Sequence, residues 1–549
     1  MNKDKKRTHG VFSFYYGISY IGGSGMSEAL LIIISILLFL MLLLIVFFII
    51  TFFIKKRTHH SILKLHPYLG RMRYLLEKIG PEFRQYWFDH DTDGKPFSRY
   101  DFQSVMFLAK YRSEILGFGS KRDFEESGYY IANTLFPTLT DELSVNLMQE
   151  REGKKYMIHK EGLFSRREKL TADTTNLWLY EEEDAIIVGE NRKYPWKLYG
   201  MFGASATSYG AIGENYILSA GFGAKMAGGS WINTGEGGVI PEHLHTGANI
   251  VAQIGPGLFG YRDEDGNFSM KEFMEKAKES NIKAFELKFG QGAKIRGGHL
   301  EGQKVNEKIA SVRKVREGET INSPNRFSFI SSAAEALYFI QDLQENGGKP
   351  VGMKIVIGQQ KPLEDLLKAM KELNIYPDFI TIDGSEGGSG ATYKSMADSM
   401  GLPLIPALLT FIDTANHYGV RDKLKVFASG KLITPDKVAI ALAIGADAVN
   451  SARGFMMASG CIMALQCNSG QCPSGVATTN PHYQKALDPY EKKWRVMNYV
   501  ISMRYSLFSL AAAAGVKSPR HLTREHIVFK DEMGKVVPLS ELFPSVIGK

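Results

Sequence analysis

Apolar positions follow three successive patterns along this chain. From 29 to 54, ALLIIISILLFLMLLLIVFFIITFFI, only Ser35 and Thr51 interrupt the run. Twenty-six helical residues reach roughly 39 Å against a hydrocarbon core of about 30 Å, so the run predicts a transmembrane helix. A cleavable signal peptide fits less well, because the run is too long and no small-residue cleavage site follows it. Lys55-Lys56-Arg57 comes directly after, whereas the nearest charge before it is Glu28 and the Lys3 to Arg7 cluster lies far upstream. Positive-inside bias then predicts a single pass with the carboxyl-terminal body in the cytoplasm.

The second pattern, 55–195, is a mixed α+β region without a dominant period. Within it, Asp89-His90-Asp91-Thr92-Asp93-Gly94 begins like a calcium-binding loop, but Tyr100 stands where the bidentate Glu belongs. A solvated turn is the expected structure there. From 196 the third pattern alternates short apolar runs with helical segments, the signature of repeated βα units. Eight strands are predicted, at 197–203, 225–231, 249–254, 284–289, 351–356, 378–383, 425–429 and 447–451. Closed on themselves they make an α/β fold of the (β/α)8 TIM-barrel type, with its chemistry on loops at the strands' carboxyl ends. An open doubly wound sheet is the alternative, but no G-x-G-x-x-G follows a strand. The stretch 290–350 reads as a functional lobe inserted between the fourth and fifth strands. Residues 487–514 read as a packing helix ended by Gly515. The expected organisation is therefore 1–28, a membrane helix at 29–54, the mixed region 55–195, the barrel with its cysteine motif at 196–481, and a helix and tail at 482–549.

Charge changes this picture little. The net +8 invites a nucleic-acid partner, yet residues 1–57 carry seven Lys/Arg against two acidic residues, leaving +3 for the remainder. A basic face on the body is unsupported, and the excess belongs to the membrane flank. Glycine matters more: many of the 55 occur in pairs, such as Gly237-Gly238, Gly297-Gly298 and Gly387-Gly388. Such pairs let backbone approach an anion or cofactor.

All three cysteines, Cys461, Cys467 and Cys472, lie in a C-x5-C-x4-C-P arrangement. Buried cysteines that merely fill space should scatter, so the spacing and the trailing proline point to an iron-sulfur cluster. Three ligands suit a three-iron cluster, or a four-iron one with an outside ligand. Zinc fits less well because no His lies among them, and disulfides fit poorly with an odd count. Just upstream, Ser429-Gly430-Lys431 follows the seventh strand and Ala452-Arg453-Gly454 the eighth, the positions that bind phosphate in many such barrels. A sugar phosphate would satisfy them. Lys354, inside the apolar strand VGMKIVIG, must either meet an anion or carbonyl at the barrel mouth or reach outward past a helix; the electron-rich edge of a reduced flavin is one partner. Glu236 follows strand two, Gln253 lies in strand three, Lys288, Gln291 and Lys294 belong to LKFGQGAKIRGG after strand four, and Arg313 lies beyond. Several cations around one Glu suit a substrate with two carboxylates.

The segments GASATSYGAIGE, INTGEGG, AQIGPGLFG, ELKFGQGAKIRGGHLEGQKV, ITIDGSEGGSGATY and ASGKLITPDKVAIALAIGADAVNSARG, with the cysteine motif, resemble the FMN-binding synthase domain of glutamate synthase over about 195 to 515. The resemblance implies FMN and a three-iron cluster ([3Fe-4S]), and reductive amination of 2-oxoglutarate with ammonia to glutamate. It implies that Cys461, Cys467 and Cys472 ligate the cluster. Ser205, Gln253, Lys354, Gly387, Gly388, Gly430, Arg453 and Gly454 would hold FMN. Glu236, Lys288 and Lys294 would be catalytic, with Gln291 and Arg313 binding substrate. No cysteine stands where the family's glutaminase domain has its nucleophile, so ammonia is expected free or from a partner, and electrons from ferredoxin or a reductase subunit. Alternatives are another 2-oxo acid, an imine or a quinone as substrate, or a non-catalytic membrane-bound scaffold. A flavin-free barrel of the IMP dehydrogenase kind shares GADAV but leaves two cysteines unexplained.

Overall fold

The computed structural model describes residues 24–57, 69–162, 165–292, 294–295 and 297–544; the basic cluster Lys3 to Arg7 lies outside them. Backbone contacts divide the chain into two compact units, 1–88 and 89–549. In the first, α1 (Ser24–Arg57) contains the expected apolar run; Leu30–Ile50 has a mean hydropathy of 3.5 and none of it is buried. It is long and apolar enough to cross a bilayer.

The second unit begins with the turn at 89–94, where Asp91 pairs with Lys121 and Arg99. Next comes α2 (Arg99–Tyr111), started by a capping box in which the Ser98 hydroxyl accepts the Asp101 N–H at 3.0 Å and Asp101 accepts the Ser98 N–H at 3.3 Å. Its buried stripe is Val105, Leu108 and Ala109. Two antiparallel hairpins follow, Glu150–Gly162 with Ser165–Asn176, and Ile186–Val188 with Trp196–Leu198.

The barrel strands are β1 (Phe202–Gly203), β2 (Trp231–Asn233), β3 (Asn249–Ile254), β4 (Ile282–Lys288), β5 (Val351–Ile355), β6 (Phe379–Asp383), β7 (Lys425–Ser429) and β8 (Ala448–Asn450). They form one parallel sheet in the order β1-β8-β7-β6-β5-β4-β3-β2. The remaining gap is bridged where the Ala204 N–H donates to the Trp231 carbonyl at 2.9 Å and the Thr207 N–H to the Asn233 carbonyl at 3.2 Å.

Two expected strands need correction. The first, 197–203, is divided: residues 196–198 pair in a hairpin outside the barrel, and only Phe202–Gly203 joins it. The second, 225–231, begins inside α3 (Glu214–Ala227), whose helical spacing continues through Lys225-Met226-Ala227 until Gly228 turns left-handed at φ 61°. An apolar run too short to show a period misled both assignments. The inserted lobe is also shorter than 290–350, since its last part is the barrel helix Ala333–Gly347. What remains is a two-stranded ribbon, His299–Leu300 with Ile321–Asn322, and α4 (Glu307–Arg313).

Alternation along the strands sorts the barrel interior into two layers. Trp231, Phe379 and Phe427 form an aromatic floor, with Phe427 5.6 Å from Trp231 and 5.0 Å from Phe379, ring centre to ring centre. Two glycines make room for it. A Cβ at Gly203 would come within 2.3 Å of the Trp231 ring, and one at Gly352 within 2.5 Å of the Phe379 ring. Two residues further along each strand the buried positions are polar: Ser205, Asn233, Lys354, Thr381 and Ser429. The floor thus closes the amino-terminal end and leaves a polar surface at the carboxyl-terminal mouth.

Beyond β8 come α5 (Ala452–Ser459) and the expected packing helix, α6 (Pro489–Ala513), with Gly515 at φ 82° just past it. Arg504 of α6 is fully buried and donates to the carbonyls of Leu177 and Ala227 at 3.0 Å and of Gly228 at 2.5 Å. It satisfies the carboxyl-terminal end of α3 and ties it to α6.

Candidate functional site

At the mouth, the turns after β7 and β8 face one another. Gly430 has φ 151° and Lys431 φ 48°, so the chain leaves β7 through a left-handed turn. Ser205, after β1, places its hydroxyl 3.2 Å from that of Ser429. Arg453 stands in the first turn of α5, where free backbone N–H groups and the helix dipole favour an anion. Its guanidinium donates to the Glu386 carbonyl at 2.7 Å and lies 4.5 Å from the Phe97 ring centre, and burial lowers its pKa to about 10. Ser205, Lys354, Gly387, Gly388, Gly430 and Arg453 line one narrow cleft of about 40 Å³. Gly454 is placed differently: a Cβ there would sit 2.3 Å from the Tyr499 hydroxyl, so this glycine serves close packing between α5 and α6.

Below the cleft, Lys354 is buried with its Nζ 3.4 Å from Asp383 Oδ2, which also accepts the Gly292 N–H at 3.0 Å. Gln253 does not reach the cleft lining. Its Nε2 donates to Glu286 Oε1 at 2.6 Å; Asn233 donates to the same oxygen at 2.9 Å, and the Thr381 hydroxyl to Oε2 at 2.7 Å. Glu286 and Asp383 join the site only through the tertiary structure. Glu286 nonetheless leaves a signal, because it interrupts the apolar strand IKAFELK as Lys354 interrupts its own.

Sequence reasoning places Glu236, Lys288 and Lys294 at one mouth, and they meet there. Glu236 lies in a short 3-10 turn after β2. Its Oε1 receives both Lys288 Nζ and Lys294 Nζ at 2.7 Å, and all three side chains are at most 10% exposed. Burial works to raise the Glu236 pKa, but the two ammonium groups outweigh it and hold the carboxyl below its ordinary range. Burial depresses Lys288 more than Glu236 restores it, leaving its pKa at about 7. Arg313, at the end of α4, is buried with Nη2 donating to the Tyr209 carbonyl at 2.8 Å, and its Nε has no hydrogen-bond partner. Burial lowers its pKa to about 10.

Glu236, Lys294 and Arg313 open on a second cleft of about 520 Å³, which also reaches Cys467. Gln291, Gly388 and Arg453 line both clefts, which therefore adjoin.

Cys461 and Cys467 are partly buried and Cys472 is buried. Burial raises the Cys461 pKa to about 12 and also raises that of Cys467. Cys472 differs. Burial works to raise its pKa too, but hydrogen bonds from the Ser474 side chain and from the backbone N–H groups of Ala477, Ser474 and Val476 bring it below the ordinary value. Lys304 of the lobe donates to the Cys467 carbonyl at 3.2 Å. Among the described residues, no three His, Cys, Asp or Glu side chains converge as a single metal ion requires.

Comparison with known proteins adds the following. A family profile described as "Conserved region in glutamate synthase" matches residues 138–517. "Glutamate synthase large subunit-like protein YerD" of Bacillus subtilis (strain 168) is 48% identical over 487 residues, covering 88% of this chain and 93% of that one. "Archaeal glutamate synthase [NADPH]" of Methanocaldococcus jannaschii is 34% identical over 315 residues, 57% of this chain; the chain spans 58% of that relative's length. Among solved structures, a mutant flavocytochrome b2 with pyruvate bound has a TM-score of 0.41 at 13% identity, covering 82% of this chain and 91% of its own.

Proposed function

The chain belongs to the glutamate synthase family, and from that premise we propose that it is a flavin- and iron-sulfur-dependent oxidoreductase that forms glutamate from 2-oxoglutarate and ammonia. The observation that carries the reading is the buried Glu236–Lys288–Lys294 cluster, opening on a space shared with Arg453 and Cys467. FMN fits the mouth: Ser205, Gly430 and Arg453 with the α5 N-terminus would hold its phosphate, and Lys354, Gly387 and Gly388 its ring system. Cys461, Cys467 and Cys472 would hold the cluster. When bound, FMN supplies hydride chemistry and the cluster relays single electrons.

The chain's own residues supply binding and proton handling. Lys294 and Arg313 attract the substrate's two carboxylates, and Gln291 adds a neutral donor. The Glu236 carboxylate, kept ionised by its two lysines, holds and orients ammonia for attack on the 2-oxo carbon. Lys288, with a pKa of about 7, can give the proton with which the displaced hydroxyl leaves as water. The burial of all three groups excludes bulk water from the resulting imine. An external donor, ferredoxin or a reductase subunit, would bring electrons. The apolar run of α1, ending in Lys55-Lys56-Arg57, supports a single-pass anchor with the body in the cytoplasm.

The test is glutamate formation by the purified full chain, given 2-oxoglutarate, ammonium and a reduced artificial donor. Lys294→Ala should abolish turnover while leaving the visible flavin spectrum intact. Unaltered glutamate production by that variant would remove the assignment.

A further inference from the structure

The helix Leu69–Phe83 and the turn Arg84–Phe88 complete the first compact unit, and no part of the proposed reaction uses them. Met72, Leu75, Leu76, Ile79 and Phe83 recur at helical spacing and occupy one face. That face is unpartnered: Met72, Leu75 and Leu76 are each more than half exposed. Arg73 and Lys78 lie on the opposite side, Arg73 ion-paired with Glu77 at 2.7 Å. The apolar face is extended by aromatic residues, with Trp87 packed edge-on against Phe83 at 5.1 Å and Trp87 and Phe88 76% and 71% exposed.

In water such a surface would be costly. Leaving three aliphatic side chains and two aromatic rings exposed forgoes their burial, and contiguous patches of this kind mark an interaction site. Two observations name the occupant. The first is reach. Only the eleven residues 58–68 separate this helix from the end of α1 at Arg57, and fully extended they span at most about 40 Å. The helix is therefore tethered to whatever α1 enters. The second is composition, since an apolar stripe, a cationic polar side and a Trp/Tyr-rich end are the features of helices that lie at the headgroup boundary.

We propose that Leu69–Phe88 is an interfacial segment that lies on the bilayer surface, with Met72, Leu75, Leu76 and Trp87 in the acyl boundary and Arg73, Lys78 and Arg84 among the headgroups. This rests on the reading of α1 as a membrane anchor.

The protein carries its own probe. Of its five tryptophans, Trp196 and Trp231 are buried and Trp178 and Trp494 half-buried, so Trp87 is the accessible one. The full chain is reconstituted into phosphatidylcholine–phosphatidylglycerol vesicles containing acyl-brominated lipid, and fluorescence quenching is compared with that of Trp87→Phe. Expected is a several-fold smaller lipid quenching in the variant, together with weak quenching of Trp87 by aqueous acrylamide. A double substitution, Leu75→Ser with Leu76→Ser, should reverse this, exposing Trp87 to acrylamide while the visible spectrum of the body is unchanged. Equal lipid quenching in Trp87→Phe, or a Trp87 shielded from both quenchers because it packs on protein, would overturn the proposal. Flotation of the vesicles separates the two failures. A chain that does not float with lipid refutes the anchor and this proposal together, whereas a chain that floats with Trp87 insensitive to bromolipid refutes this proposal alone.

Discussion

Replacing Glu236 with Gln keeps the shape of the side chain and removes the negative charge between Lys288 and Lys294. In the structure one carboxylate oxygen meets both ammonium groups at 2.7 Å in a site almost closed to water. Removing one partner of a buried pair leaves an uncompensated charge and costs about 3–5 kcal/mol. The cost should depend on pH, because Lys288 has a pKa of about 7. At pH 6 the wild type keeps this ammonium paired with Glu236, whereas the variant must hold it unpaired beside Lys294 or give up its proton. At pH 8 it is already about nine-tenths neutral, so the lost interaction is mainly that with Lys294, about 2 kcal/mol. Without Glu236, which raises it, the Lys288 pKa falls further and the penalty at neutral pH shrinks again. For a compact unit of this size, 1 kcal/mol corresponds to about 1–2 °C in Tm, extrapolating from smaller domains. The expected loss is about 5 °C at pH 6 and about half that at pH 8, read by thermal unfolding of the full chain in both buffers. The wild type has its own signature. Glu236 has a depressed folded pKa, so its contribution is present above the unfolded value of 4.5 and is lost as pH falls below it. A Tm loss in Glu236→Gln that is equal at the two pH values, or larger at pH 8, would refute the charge assignment.

Two further substitutions test the barrel interior. Gly352→Ala puts a methyl group within 2.5 Å of the Phe379 ring and should cost about 1–3 kcal/mol, whereas Gly358→Ala, with open space around it, should be silent; Tm compares them. Glu286→Leu orphans the Asn233, Gln253 and Thr381 donors and should destabilise by about 3–5 kcal/mol, while Glu286→Gln keeps an acceptor for the amides and should cost about 1 kcal/mol. Equal costs for the two Glu286 variants would show that the network is not what holds this layer.

The site was legible in sequence where a charge breaks an apolar strand or a glycine pair follows one. Lys354 breaks an apolar strand in this way, and so does Glu286, whereas Lys288 is legible only as one of several cations at the turn after the fourth strand. Gly454 was read as phosphate-facing because it sits beside Arg453, but which side of a first helical turn faces the cleft depends on the packing of α5 against α6. Gln253 was grouped with the cofactor residues, whereas the strand register pairs it with Glu286.

The amino-acid sequence by itself determined the apolar span of α1, six of the eight barrel strands within two residues at either end, and the placing of three thiols in one loop. These are local properties, carried by length, by period and by spacing along the chain. Only the tertiary structure decided that the barrel closes through Ala204 and Thr207, and that its first strand is two residues long. It alone brought Lys288 and Lys294 to the same oxygen of Glu236, with Arg313 entering the same cleft from a lobe. Closure and convergence depend on side chains far apart in sequence that share a low-dielectric space, and no window of adjacent residues contains that information.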